Sequence, residues 1–166
     1  KLVKQRIKIM EEDAQAFIAA LETRHEAPLT WKTYATWYGN NHEVFREFGV
    51  FFYRCKNSFY FEDFERNPTM FGISMKSKKA KTPFSKYEGS FSLDEVEDTR
   101  PIPKTLAAKI IQGRRDIASV RHPNLLDKLF RQMVEMVTLK DGTVHFFELM
   151  NRKQFVNELQ HSNKEE

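Results

Sequence analysis

Five lysines and no acid stand in the thirteen residues of "SMKSKKAKTPFSK", residues 74–86. Lys76, Lys78, Lys79, Lys81 and Lys86 alternate with small residues, so all five ammonium groups can reach one polyanion. "QGRRD" adds Arg114 and Arg115 behind Gly113, and guanidinium forks match phosphate oxygens better than ammonium does. These seven residues are the candidate anion-binding site, forming one patch if folding brings the two stretches together. An anionic membrane surface would attract them with about 1 kcal/mol per basic residue. Nucleic acid would do so through counterion release. The competing reading is a solvated loop, because "EGSFSLDEVED" follows at once with Glu88, Asp94, Glu95, Glu97 and Asp98. Phe84 and Tyr87 are the only aromatics near the lysines, few for base stacking, which favours a membrane surface or a protein partner over nucleic acid. Phosphorylation at Thr82-Pro83 would cancel part of the positive charge.

Catalytic patterns are lacking. The sequence has no phosphate-cradling glycine loop, no paired-histidine metal helix and no nucleophile elbow. His25, His42, His122, His145 and His161 are scattered, and a catalytic pair would need folding to assemble it. Glu62, Asp63 and Glu65 are close in sequence, but Glu62 and Asp63 point to opposite faces of a strand, which argues against a shared metal. Cys55 lies between Arg54 and Lys56, whose charge would favour thiolate; in an aromatic hairpin it can equally be a small buried hydrophobe. The expectation is a non-enzymatic interaction or targeting module with no cofactor and no metal. A nucleic-acid-binding domain is the alternative, and an enzyme with a site assembled from distant residues is a third.

The elements that must hold these residues follow from periodicity. Val3, Ile7, Met10, Ala14, Phe17 and Leu21 recur at steps of four and three, the stripe of an amphipathic helix that Pro28 closes. That stripe either packs on its own domain, the reading adopted, or forms a seam with another chain. The three-residue spacing of Trp31, Tyr34 and Trp37 predicts a short helix from Trp31 to Tyr38, broken at Gly39-Asn40-Asn41. "GVFFYRC" and "FYFEDF" predict a hairpin from Phe48 to Phe64 turning near Asn57. "FGISMK" and "GSFSLDEV" predict strands on either side of the lysines, making that stretch a connector. "TRPIPKTLAAKIIQG" reads as a loop, then a helix or strand that periodicity does not decide. A helix is predicted from Pro123 through Leu125, Leu126, Leu129, Phe130 and Met133. "MVEMVTL" and "TVHFFEL" around Lys140-Asp141-Gly142 predict a second hairpin. Asn151 is placed to cap a last helix with Phe155, Val156 and Leu159 on its apolar face.

At 166 residues, with fifteen phenylalanines, the chain has material for a real core, and one domain is the prior. Residues 1–27 are read as an N-terminal helix packing on that core, 28–160 as a single α+β domain and 161–166 as a polar tail. No apolar run approaches the roughly 20 residues of a membrane helix. The start, "KLVKQRIKIMEEDAQ", lacks a signal peptide's apolar centre and an initiator Met, as a fragment would. A single cysteine excludes an internal disulfide and leads to the expectation of a cytoplasmic protein.

The order hairpin, further strands, then "TLKDGTVHFFELMNRKQFVNEL" resembles a pleckstrin-homology-like (PH-like) domain over Phe48 to Leu159. The resemblance implies an antiparallel barrel or sandwich with Thr143 to Leu149 as closing strand and Arg152 to Leu159 as the helix that plugs one end. The N-terminal helix and the helix near Leu125 would be additions. Two departures stand out. Many members carry a tryptophan in the closing helix, where this chain offers Phe155. Phosphoinositide-binding members place basic residues in the loop after the first strand, which would here be the short Arg54-Cys55-Lys56-Asn57. Folds of this kind serve lipid, peptide and scaffold roles alike, so the resemblance does not choose the ligand.

Overall fold

The computed structural model describes residues 2–42, 47–63, 69–70, 73–74, 87–121, 123 and 131–161. Helix α1 spans Leu2–His25 and strand β1 spans Leu29–Asn40; β2 is Phe48–Cys55 and β3 Ser58–Asp63. A separate two-stranded pair, β4 (Thr69–Met70) and β5 (Ile73–Ser74), comes before β6 (Glu88–Ser92) and β7 (Val96–Pro103). Helix α2 is Lys104–Ile111, followed by β8 (Met133–Leu139), β9 (Val144–Leu149) and α3 (Arg152–His161). The class is α+β: a seven-stranded antiparallel sheet in the order β6-β3-β2-β1-β9-β8-β7, curled into a half-barrel, with helices at both termini.

The curl is visible in the connection between the edge strands. β6 and β7 lie at opposite ends of the strand order, yet only a 3-10 turn, Leu93–Glu95, separates them. That corner is bonded on both sides. Leu93 N–H donates to Asn57 O (2.8 Å) at the β2–β3 turn, and Lys140 N–H donates to Glu95 O (2.8 Å) at the β8–β9 turn. A flat sheet could not satisfy both.

Because side chains alternate along a strand, the sheet has two apolar faces, each with its own cover. The inner face gathers Trp31, Trp37, Phe52, Phe59, Phe61, Phe91 and Phe147 beneath Phe155 and Leu159 of α3. On the outer face, Ala107, Ile110 and Ile111 of α2 bury Tyr38, Ile102, Val134, Met136 and Phe146. Leu21 of α1, with Phe17, covers Phe51 and Tyr53 farther along that face. The expected docking of the first helix through Phe17 and Leu21 is therefore present. Both predicted hairpins also form, β2–β3 across Lys56-Asn57 and β8–β9 across the Asp141-Gly142 turn, where Gly142 takes φ 87°. Asn151 accepts from Gln154 N–H (3.3 Å), capping α3 as expected.

Three expectations are corrected. Trp31 to Tyr38 is strand, not helix: Trp31, Ala35 and Trp37 face the inner core while exposed Lys32 and Tyr34 face away. Ladders to β2 and β9 on both sides override the three-residue spacing. The sheet thus begins at Leu29, and the connection after its first strand starts beyond Asn40 instead of lying at Arg54 to Asn57. "TRPIP" is not a loop but the second half of β7, where Pro101 and Pro103 are tolerated because an edge strand has one side without a ladder. The undecided stretch after it is α2. Met133 opens β8 and is not the end of a helix; Leu125, Leu126, Leu129 and Phe130 lie outside the described residues.

Gly89 marks the tightest approach in the sheet. A Cβ there would stand 2.3 Å from Cζ of Phe61, a ring that is buried in the inner core. Gly89→Ala is expected to cost about 1–3 kcal/mol, the usual penalty of overpacking. A thermal melt checks this, and an unchanged midpoint would mean the Phe61 ring swings aside freely.

Candidate functional site

Strand direction brings several connections to one end of the half-barrel. β1 ends there at Asn40, β2 begins at Phe48, β3 ends at Asp63 and β6 begins at Glu88. Asn41 ties in the β8–β9 turn: its Nδ2 donates to Gly142 O (3.0 Å) and its Oδ1 accepts from Val144 N–H (2.8 Å). The chain leaves the sheet at Asp63 and returns at Tyr87, two residues joined by the Asp63 N–H to Tyr87 O bond of 2.8 Å. In sequence, the lysine-rich stretch lies between these two residues.

Aromatic rings line it. The Tyr87 ring stacks on Trp37 at 4.2 Å between centroids and on Phe48 at 5.5 Å, within 27° and 10° of parallel. Tyr87 and Phe48 are half-buried, Trp37 buried. Deeper in, His145 is enclosed by Trp37, Phe61, Phe91 and Phe147. Trp37 Nε1–H donates to His145 Nδ1 (3.3 Å), which assigns the imidazole proton to Nε2. Burial among these rings pushes the His145 pKa down to about 4, against a weaker upward pull from Asp141. At neutral pH this histidine is an uncharged part of the core, and its ring is held by packing.

The outer face carries two polar clusters that fasten the helices. Glu62, 3% exposed, accepts from Tyr53 O–H (2.9 Å) and from Arg24 Nη1 (3.2 Å), while His25 Nε2 meets Tyr53 O–H at 3.0 Å. Burial and the Glu62 carboxylate push the Tyr53 pKa well up, and the bond to Glu62 raises that of Arg24. Lys104 of α2 sits 4.6 Å from the Tyr38 ring centroid and 2.8 Å from Glu47 Oε1, while Tyr38 O–H donates to Glu148. Across the sheet, Arg152 at the start of α3 pairs with buried Glu135. These bonds hold elements in place.

The predicted site residues divide. Arg114 and Arg115 are exposed in the turn that follows α2. Lys76, Lys78, Lys79, Lys81 and Lys86 lie outside the described residues, as do Glu65 and His122. Cys55 is buried with Sγ 3.5 Å from Ala27 O, and burial pushes its thiol pKa up despite neighbouring Lys56, so it is the packed hydrophobe of the two readings. Glu62 and Asp63 do take opposite faces, and among the described residues no cluster of metal-ligating side chains forms. No described helix is long and apolar enough to cross a membrane. The enclosure of His145 had no signal in the sequence, because its partner Trp37 is 108 residues away. No protein-family model matches the chain, and no curated protein matches its sequence.

Proposed function

We propose that the chain is a PH-like interaction module whose connection-bearing end recognises an anionic membrane surface through Lys76, Lys78, Lys79, Lys81 and Lys86. The curled seven-stranded sheet, with its C-terminal helix over the inner core, supports the PH-like assignment. One observation carries the ligand reading: the chain leaves the sheet at Asp63 and returns at Tyr87, on either side of these lysines in sequence, at the end where β1 stops and the β8–β9 turn lies. Several connections at one end of a rigid sheet make a surface that can meet a membrane while the rest of the fold stays clear. The stacked Trp37, Tyr87 and Phe48 give that end a firm base. A reducing cytoplasmic setting fits the single buried cysteine. Arg114 and Arg115, exposed beyond α2, would add to the attraction if they reach the same surface.

Lys78, Lys79 and Lys81 replaced together by Ala should weaken binding to phosphatidylserine vesicles by roughly 100-fold, since each basic residue near such a surface contributes about 1 kcal/mol. Binding should also fall as salt is raised. Solvent-side lysine changes alter stability little, so the melting midpoint should stay put. Vesicle co-sedimentation beside a single-stranded oligonucleotide titration is the test. A wild type that ignores anionic vesicles at low salt, or that binds only the oligonucleotide, rejects the reading.

A further inference from the structure

Single exposed apolar side chains are normal on a protein surface; two that adjoin call for a reason. Among the described residues, two large apolar side chains are left mainly to solvent: Tyr34, 53% exposed, and Met150, 81% exposed. They are far apart in the chain and neighbours in the fold. Ala35 pairs with Leu149 across β1 and β9, so Tyr34 and Met150, one step beyond, stand side by side at the end of that ladder. Ala35 and Leu149 belong to the inner core, and alternation turns Tyr34 and Met150 to the outer face. Tyr34 sets its ring edge-on against Phe51, 5.7 Å between centroids, without being enclosed.

The two side chains form the floor of a slot. On one side Phe17 and Leu21 hold α1 over β2; on the other α2 buries Tyr38 of β1 and Phe146 of β9. A helix with its side chains is about 10–12 Å across, so both walls stand well above the strands between them. Gly49 on β2, opposite Thr36, is exposed and adds no side chain to the floor; among the described residues no atom lies within 4 Å of where its Cβ would be. The rim is basic. Lys32, two residues before Tyr34 on the same face of β1, is exposed, as are Arg152 and Lys153 in the first turn of α3, just after Met150. Arg152 also pairs with Glu135, which leaves Lys32 and Lys153 as the principal charges. One carboxylate adjoins the slot, Glu148 opposite Thr36, and it already accepts from Tyr38 O–H and from Gln132 Nε2.

We propose that this slot docks an acidic segment of a partner protein, which lays a bulky apolar side chain on Tyr34 and Met150 and its carboxylates against Lys32 and Lys153. The basic rim sets the sign of the occupant, and the walls set its class. A second copy of the chain would bring like charges together, and two side chains are far less than the roughly 800 Å² per partner of a standard interface. A bilayer is broad, and the flanking helices hold it off the floor. One extended or helical segment fits between them. Tyr34 lies about 20 Å down β1 from Asn40, at roughly 3.3 Å per residue, so a segment bound here leaves the connection-bearing end open.

Displayed random peptides of about a dozen residues, selected on the immobilised 166-residue chain, are the probe. Enriched peptides should combine several Asp or Glu with one bulky apolar residue. Fluorescence anisotropy of a synthetic copy should show binding weakened about tenfold or more by Met150→Ser, the loss expected of an anchor contact. Lys32→Glu with Lys153→Glu should weaken it at least as much, because the rim then repels the peptide. Met150 and both lysines are exposed, so the melting midpoint should not move. Binding to phosphatidylserine vesicles should be unchanged by Met150→Ser. The proposal is overturned if selection enriches no peptide, if the enriched peptides lack acids, or if Met150→Ser leaves their affinity intact. Loss of vesicle binding in Met150→Ser would make the patch a membrane contact. Self-association in sedimentation velocity that this variant abolishes would make it a contact between copies. Either result also rejects the acidic segment.

Discussion

Phe155→Ala will lower the stability of the fold by about 3–5 kcal/mol, the range for deleting a fully buried phenylalanine ring. Phe155 is 0% exposed and touches three rings at once: Trp31 at 5.6 Å, Phe52 at 5.5 Å and Phe59 at 5.4 Å between centroids. It stands at the centre of the contact between α3 and the inner face of the sheet, flanked by Leu159. Close-packed rings cannot collapse into the space it would leave. Domains commonly have only about 5–15 kcal/mol in total, so the variant should unfold at a much lower urea concentration. Trp31 reports on the site directly through its fluorescence. Phe155→Leu should recover most of the loss by filling most of the volume. A cost below about 1 kcal/mol for the alanine variant, within the range of surface changes, would show that α3 does not close the core.

The second large effect is acid sensitivity from His145. In the unfolded chain its imidazole should take up a proton near pH 6.5, while in the folded chain burial holds the pKa at about 4. Between those values the unfolded state binds more protons than the folded one, so stability falls as pH falls. The span corresponds to roughly 3 kcal/mol, and below it the contribution stays level because both states are protonated. His25 is shifted down as well, mainly by burial, and acts in the same direction. Asp141, whose carboxyl is held down by the Thr143 N–H and hydroxyl, loses its own contribution only as pH drops through the ordinary carboxylate range. The comparison that isolates His145 is His145→Phe, which keeps a ring in the aromatic enclosure but cannot titrate. Urea unfolding from pH 7 to pH 4 should show a clearly shallower decline for that variant. Parallel declines for the two proteins would refute the assignment.

What was readable in advance depended on how local the determining contacts are. The β2–β3 and β8–β9 hairpins announce themselves because strand, turn and strand are adjacent in the chain, and Asp141-Gly142 suits a tight turn. Phe17 and Leu21 carry their helix visibly in their spacing. β1 is the opposite case. Trp31, Tyr34 and Trp37 satisfy a helical spacing, and only neighbours contributed by β2 and β9 make the stretch a strand. β7 was hidden by Pro101 and Pro103, since a sequence does not say which strand lies at an edge. Described strands stand on either side of the lysine stretch in sequence, β5 before it and β6 after, while the lysines themselves lie outside the described residues. That the other connections gather at the same end follows from the strand order of the whole sheet.

The ladder between β1 and β9, with Ala35 opposite Leu149, also orders folding in time. The hairpins can close as soon as their few turn residues are made, because short loops cost little entropy to close. β1 and β9 must find each other across nearly the whole intervening chain. As the protein is synthesised, β1 can pair with β2 but offers a bare second edge until residues 144–149 have left the ribosome. Non-local pairing of this kind belongs to the slow, millisecond-to-second class of folding. The long-unguarded side of β1, where Trp37 would otherwise meet Phe147, is where a chaperone or an aggregating neighbour has the most time to act.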